Sequence, residues 1–92
     1  MIISFRHKGL EKFYRTGSKA GIQAAHAAKL NLILTALEAA DCPQDMDING
    51  WDLHALAGVL KDHWSVKVNA NWRITFRFVG ADIELVDYQD YH

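Results

Sequence analysis

With 92 residues, 50% of them hydrophobic and 23% charged, the chain is long enough for one domain with one core and too short for two. Its composition is globular, no apolar run approaches the roughly 18 residues of a membrane span, and the opening "MIISFRHKG" lacks a signal peptide's long apolar core, so a cytoplasmic location is expected. A formal net charge of -1 argues against a globally cationic nucleic-acid binder, and the single cysteine, Cys42, excludes an internal disulfide and any Cys-based metal motif.

In chain order, "IISFR" at residues 2–6 reads as a short first strand with Ile3 and Phe5 on one side. Leu10, Phe13 and Tyr14 then fall at i, i+3 and i+4, and Gly17 is placed to stop a short helix. Across residues 20–40, Ile22, His26, Leu30, Ile33 and Leu37 step by four, four, three and four, the inner stripe of a second helix. His26 on that stripe reads as a packed, hydrogen-bonded core histidine rather than a ligand. "DCPQDMDING" at 41–50 holds the one proline and reads as a loop, with Cys42 a small half-buried side chain behind the helix.

From Trp64 the period changes to two. Trp64, Val66, Val68, Trp72, Ile74, Phe76 and Phe78 form an apolar face across a hairpin that turns at Asn69-Ala70-Asn71. Ser65, Lys67, Asn69, Arg73, Thr75 and Arg77 form the opposite, cationic face. "VGAD" turns the chain again, and "IELVDY" is a further strand with apolar residues on both parities, which leaves its facing open. The order predicts one α+β domain over residues 1–92, its two N-terminal helices packed on one face of a small antiparallel sheet.

The near-neutral net charge hides a segregation. Residues 1–20 carry Arg6, Lys8, Lys12, Arg15 and Lys19 against Glu11, whereas residues 38–52 carry Glu38, Asp41, Asp45, Asp47 and Asp52 with no positive residue among them. Lys67, Arg73 and Arg77 lie on the open sheet face, His54 and His63 lead into it, and Asp90, Tyr91 and His92 follow the last strand. Cleavage of RNA without a metal needs such groups: a base for the ribose 2′-hydroxyl, an acid for the departing 5′-oxygen, and cations for the charge growing on phosphorus. Histidine suits the first two roles and the planar guanidinium fork suits the third. The same residues also read as ordinary surface decoration of an amphipathic sheet. A zinc site from His54, His63, Asp90 and His92 matches no recurrent ligand spacing.

"LHALAG" at 53–58, "HWSVKVNANWRITFRF" at 63–78 and the terminal "DYQDYH" closely resemble the HigB toxins of bacterial type II toxin-antitoxin systems, within the RelE-like superfamily, and the similarity extends to "MIISFRHKGLEKFY". The resemblance implies a microbial-ribonuclease-type fold and a toxin that cuts mRNA in the ribosomal A site. It places catalytic roles on His54, Arg73, Asp90, Tyr91 and His92, with Lys61, Lys67 and Arg77 as further RNA contacts. It implies no cofactor or metal, and as partners a helix-turn-helix HigA-like antitoxin, the ribosome and mRNA, with no membrane. Exposed cations near the N-terminus are candidates for meeting the antitoxin. Ala57 and Asn69 stand where relatives often carry basic residues, which implies reduced activity or an altered codon preference. A ParE-like toxin that inhibits a protein target such as gyrase is the alternative, though it would not need the histidine-bearing terminus; a catalytically inactive binding module is a third.

Overall fold

Two helices and a four-stranded antiparallel sheet form the α+β arrangement expected, in a computed structural model that describes residues 1–91. His92 lies outside the described residues. Helix α1 (Lys8–Thr16) starts where His7 turns extended and its Nδ1 accepts the Leu10 N–H at 2.9 Å. It ends at Gly17, whose left-handed φ of 80° lets its own N–H reach the Phe13 carbonyl at 2.8 Å. Helix α2 (Ala27–Ala39) is shorter than the expected residues 20–40: a tighter turn, Ala24–His26, leads into it, and the chain before that is bent back on α1. The cause is a backbone contact between two glycines. A Cβ on Gly9 would sit 2.5 Å from the Gly21 carbonyl oxygen, so neither position has room for a side chain.

The expected stripe of α2 is the buried one, with His26, Leu30, Ile33 and Leu37 inward beside Leu34. His26 Nδ1 and the Tyr88 hydroxyl share a hydrogen bond of 2.6 Å, so His26 is the packed, hydrogen-bonded core histidine its position suggests. Residues 41–50 are more than a solvated loop: Pro43–Met46 makes one tight turn that buries Met46 completely under α2.

In the sheet, β1 (His54–Ala55), β2 (His63–Asn69), β3 (Trp72–Val79) and β4 (Asp82–Asp90) lie in sequence order, each antiparallel to the next. The β2–β3 register pairs Trp64 with Phe76 and Val66 with Ile74 on the helix-covered face, and Lys67 with Arg73 on the other. Strand β4 changes parity at a bulge: Thr75 faces Asp87 but Arg77 faces Glu84, and Leu85 sits at φ 55°. Ile83, Val86 and Tyr88 are therefore all buried despite their unequal spacing. The same bulge disposes of residues 2–6 as a regular strand. Ile2 and Phe5 make only isolated parallel bridges to Ile83 and Val86, and between them Ser4 Oγ accepts the Leu85 N–H at 2.8 Å. The inward residue there is Ile2, 7% exposed, while Ile3 is 49% exposed, contrary to the strand reading. No helix among the described residues is long and apolar enough to cross a membrane.

Replacing glycine by alanine within a helix normally gains about 0.5–1 kcal/mol. At Gly9 the sign should reverse: Gly9→Ala should lose about 1–3 kcal/mol by overpacking against Gly21, read as a lower urea midpoint with an unchanged slope.

Candidate active site

The segment after Trp51 runs along the free edge of β2. Lys67 donates its N–H to the Trp51 carbonyl at 2.7 Å, His54 and Ala55 pair with Ser65 and Trp64, and Leu56 donates to the His63 carbonyl at 2.9 Å. Trp51 is itself buried, with the Lys29 ammonium of α2 5.0 Å from its ring centre, which ties the start of the segment to the helical layer. Asp52 then takes φ 52°, a left-handed conformation that Asp tolerates better than most residues.

This kink turns both the carbonyl and the carboxylate of Asp52 toward Arg73. Arg73 Nη2 donates to the Asp52 carbonyl at 2.6 Å and Nη1 to Asp52 Oδ2 at 3.3 Å, while Nε donates to Ser65 Oγ at 2.9 Å. The other carboxylate oxygen, Oδ1, lies 2.8 Å from His54 Nε2. One carboxylate thus bridges His54 and Arg73. The hydrogen bond from His54, aided by Arg73, holds the Asp52 carboxyl below its ordinary range. The Arg73 side chain is only 14% exposed and His54 is 59% exposed, so a fixed guanidinium sits beside an accessible imidazole.

The other expected residues fall in several places. Lys67 is exposed and directly opposite Arg73. Arg77 is four residues from Arg73 on β3, about 13 Å along the strand, with its Nε 3.6 Å from Glu84 Oε2. Lys61 follows the turn Gly58–Leu60 and, with Leu56, His63, Trp64 and Phe78, borders a cavity of about 280 Å³. His63 is buried, its Nδ1–H donating to the Lys61 carbonyl at 3.2 Å. Among the described residues no group of three or more His, Cys, Asp or Glu is arranged to hold a metal.

Asp90 pairs with Trp72 and so lies on the helix-covered side. There, after burial itself, its charge helps push the Tyr88 phenol above its ordinary value. Tyr91 continues the strand direction, its N–H donating to the Asn71 carbonyl at 2.8 Å. His92 lies outside the described residues.

Three participants escaped the sequence reading. Asp52 was one carboxylate of an acidic stretch without cations, yet its partners are the distant Arg73 and the nearby His54. Its position two residues before His54 was the available clue, since alternate residues of an extended segment share a side. Ser65 and Thr75 are buried on the face expected to be open, covered by Arg73 and by Gln89, whose Nε2 donates to Thr75 Oγ1 at 3.1 Å. That face is also less cationic than β2 and β3 suggest, because β4 sets Glu84 and Asp87 against it.

A family model described as a RelE-like toxin of the type II toxin-antitoxin system HigB matches residues 3–92. The chain is 38% identical to Endoribonuclease HigB of Proteus vulgaris over 92 residues, covering 100% of both chains.

Because the Asp52 carboxyl is depressed in the folded state, its contribution to stability is present above its unfolded value of about 3.9 and is lost as pH falls through the folded one. Urea unfolding should show the parent chain more stable than Asp52→Asn at neutral pH. The two curves should converge below about pH 4.

Proposed function

The chain belongs to the RelE-like HigB toxin family of type II toxin-antitoxin systems, and on that premise we propose that it is a ribosome-dependent endoribonuclease that cuts mRNA in the A site by metal-independent acid-base catalysis. The observation that carries this reading is the convergence of His54 and Arg73 on the two oxygens of one carboxylate. An imidazole and a guanidinium on one sheet face match the two demands of RNA transesterification, proton transfer and stabilisation of phosphoryl charge.

In the proposed step the 2′-oxygen of a ribose bonds to the adjacent phosphorus as a base removes its proton. The bond from phosphorus to the 5′-oxygen breaks, and an acid protonates that oxygen, leaving a cyclic phosphate and a free 5′-hydroxyl. His54 and His92 are the proposed acid and base. Arg73 has five N–H donors, three of them engaged in the folded chain, which leaves two to meet the non-bridging oxygens. Asp90, which is on the opposite side of the sheet from His54 and Arg73 but only two residues before His92, is proposed to act at the strand's end by orienting a histidine or taking up a proton itself, and Tyr91 to stack on a base or bind phosphate. Lys67, opposite Arg73 in register, makes good part of the charge missing at Ala57 and Asn69; Lys61 and Arg77 extend the contact to RNA.

Membership of a type II system entails an antitoxin partner. We propose a helix-turn-helix, HigA-like protein for that part, with the ribosome as the second partner and the cytoplasm as the place of action.

The test is expression in a coupled translation extract with mRNA 5′ ends mapped by primer extension. Cuts should appear only on translated messages. His92→Ala should lower cleavage by roughly 10² to 10⁴, and Arg73→Ala by roughly 10² to 10³. DNA breaks with intact mRNA would favour a gyrase-directed toxin and contradict the nuclease reading.

A further inference from the structure

We propose that Asp52 is a positioning residue of the cleavage reaction: it fixes the tautomer of His54 and the orientation of Arg73, and so decides which nitrogen of His54 exchanges a proton with RNA. The inference rests on the nuclease reading given above and adds a residue to it.

A carboxylate only accepts hydrogen bonds, so the nitrogen facing Asp52 Oδ1 at 2.8 Å, His54 Nε2, carries a hydrogen. Nδ1 is then the nitrogen that gives or takes the proton. On the other side, Oδ2 and the Asp52 backbone carbonyl hold two edges of the Arg73 guanidinium while Ser65 holds Nε. The donors left over are therefore fixed in direction before any phosphate arrives. Both contacts are possible together because each uses a different carboxylate oxygen.

Asp52 cannot help by attracting substrate. Its negative charge repels phosphate, so its effect must appear in the rate of the bound complex and not in RNA affinity. Asn is the informative replacement. It accepts the φ of 52° that position 52 requires, which protects the fold. Its amide, however, has one oxygen and one NH₂, and the NH₂ can accept from neither His54 nor Arg73. Arg73 can only donate, so the amide oxygen stays with it and the NH₂ faces His54, whose Nε2 keeps the contact only by shedding its hydrogen; the tautomer then reverses. Asp52 is 54% exposed, so the loss should sit at roughly 10- to 100-fold, as for orienting partners elsewhere.

The experiment measures single-turnover cleavage of mRNA on programmed ribosomes by the full chain and by Asp52→Asn, together with the nitrogen shifts of His54 in the RNA-free protein at about pH 8, above the ordinary histidine range. The expected result is a maximal rate reduced roughly 10- to 100-fold, a half-saturating concentration unchanged or lower, and the loss of a dominant Nε2–H tautomer that the parent chain shows. An unchanged or higher rate, a loss confined to affinity, or the same tautomer in both proteins would overturn the proposal. A parent chain that does not cut mRNA would overturn the nuclease reading and this inference with it, a result distinct from equal cleavage by the two proteins.

Discussion

The site depends on a short stretch of backbone pairing. Residues 51–56 close the outer edge of β2 with three features: the Lys67 N–H to the Trp51 carbonyl, the His54 and Ala55 pairs, and the Leu56 N–H to the His63 carbonyl. Without them β2 would be an open edge with unpaired amides, and His54 would have no fixed relation to Arg73. A two-residue strand contributes little stability alone. Its position is secured from outside by Trp51, buried against the sheet with the Lys29 ammonium over its ring, and by the Arg73 contacts to Asp52. Core packing, the edge strand and the polar cluster therefore support one another.

That dependence explains which parts of the molecule could be read from the residues. The β2–β3 hairpin was legible because one face is buried, which forces strict alternation from Trp64 to Phe78. The stripe through His26 and the stop at Gly17 were legible for similar local reasons. Residues 82–90 were not, because the bulge at Leu85 moves the inward set from Ile83 to Val86 and leaves both parities apolar. Residues 2–6 failed as a strand because they pair with that same bulged edge. The edge strand β1 is too short for any period, and the start of α2 was set by a contact between two glycines far apart in sequence.

For the site, residue identity was visible and partnership was not. His54 and Arg73 stood out by chemical type and by motif, and the structure brings them together. Whether they meet depends on the pairing of residue 54 with 65 and of 67 with 73, which is tertiary information. Asp52 belonged, by composition, to an acidic stretch; only the kink at φ 52° turns it back toward the sheet. The cations of the open face are likewise partly balanced, Arg73 by Asp52 and Arg77 by Glu84, which fits a chain of net charge -1 and leaves that face without a broad positive field.

The central claim, that residues 51–56 are docked on β2 and thereby hold His54 beside Arg73, is tested most directly by native-state amide hydrogen exchange. The Lys67 amide points away from β3 and toward Trp51, so its protection reports only on that docking. Lys67 and Leu56 should exchange slowly, within about tenfold of β2 amides bonded to β3. Exchange at the rate of an unpaired, solvent-facing edge amide would contradict the claim.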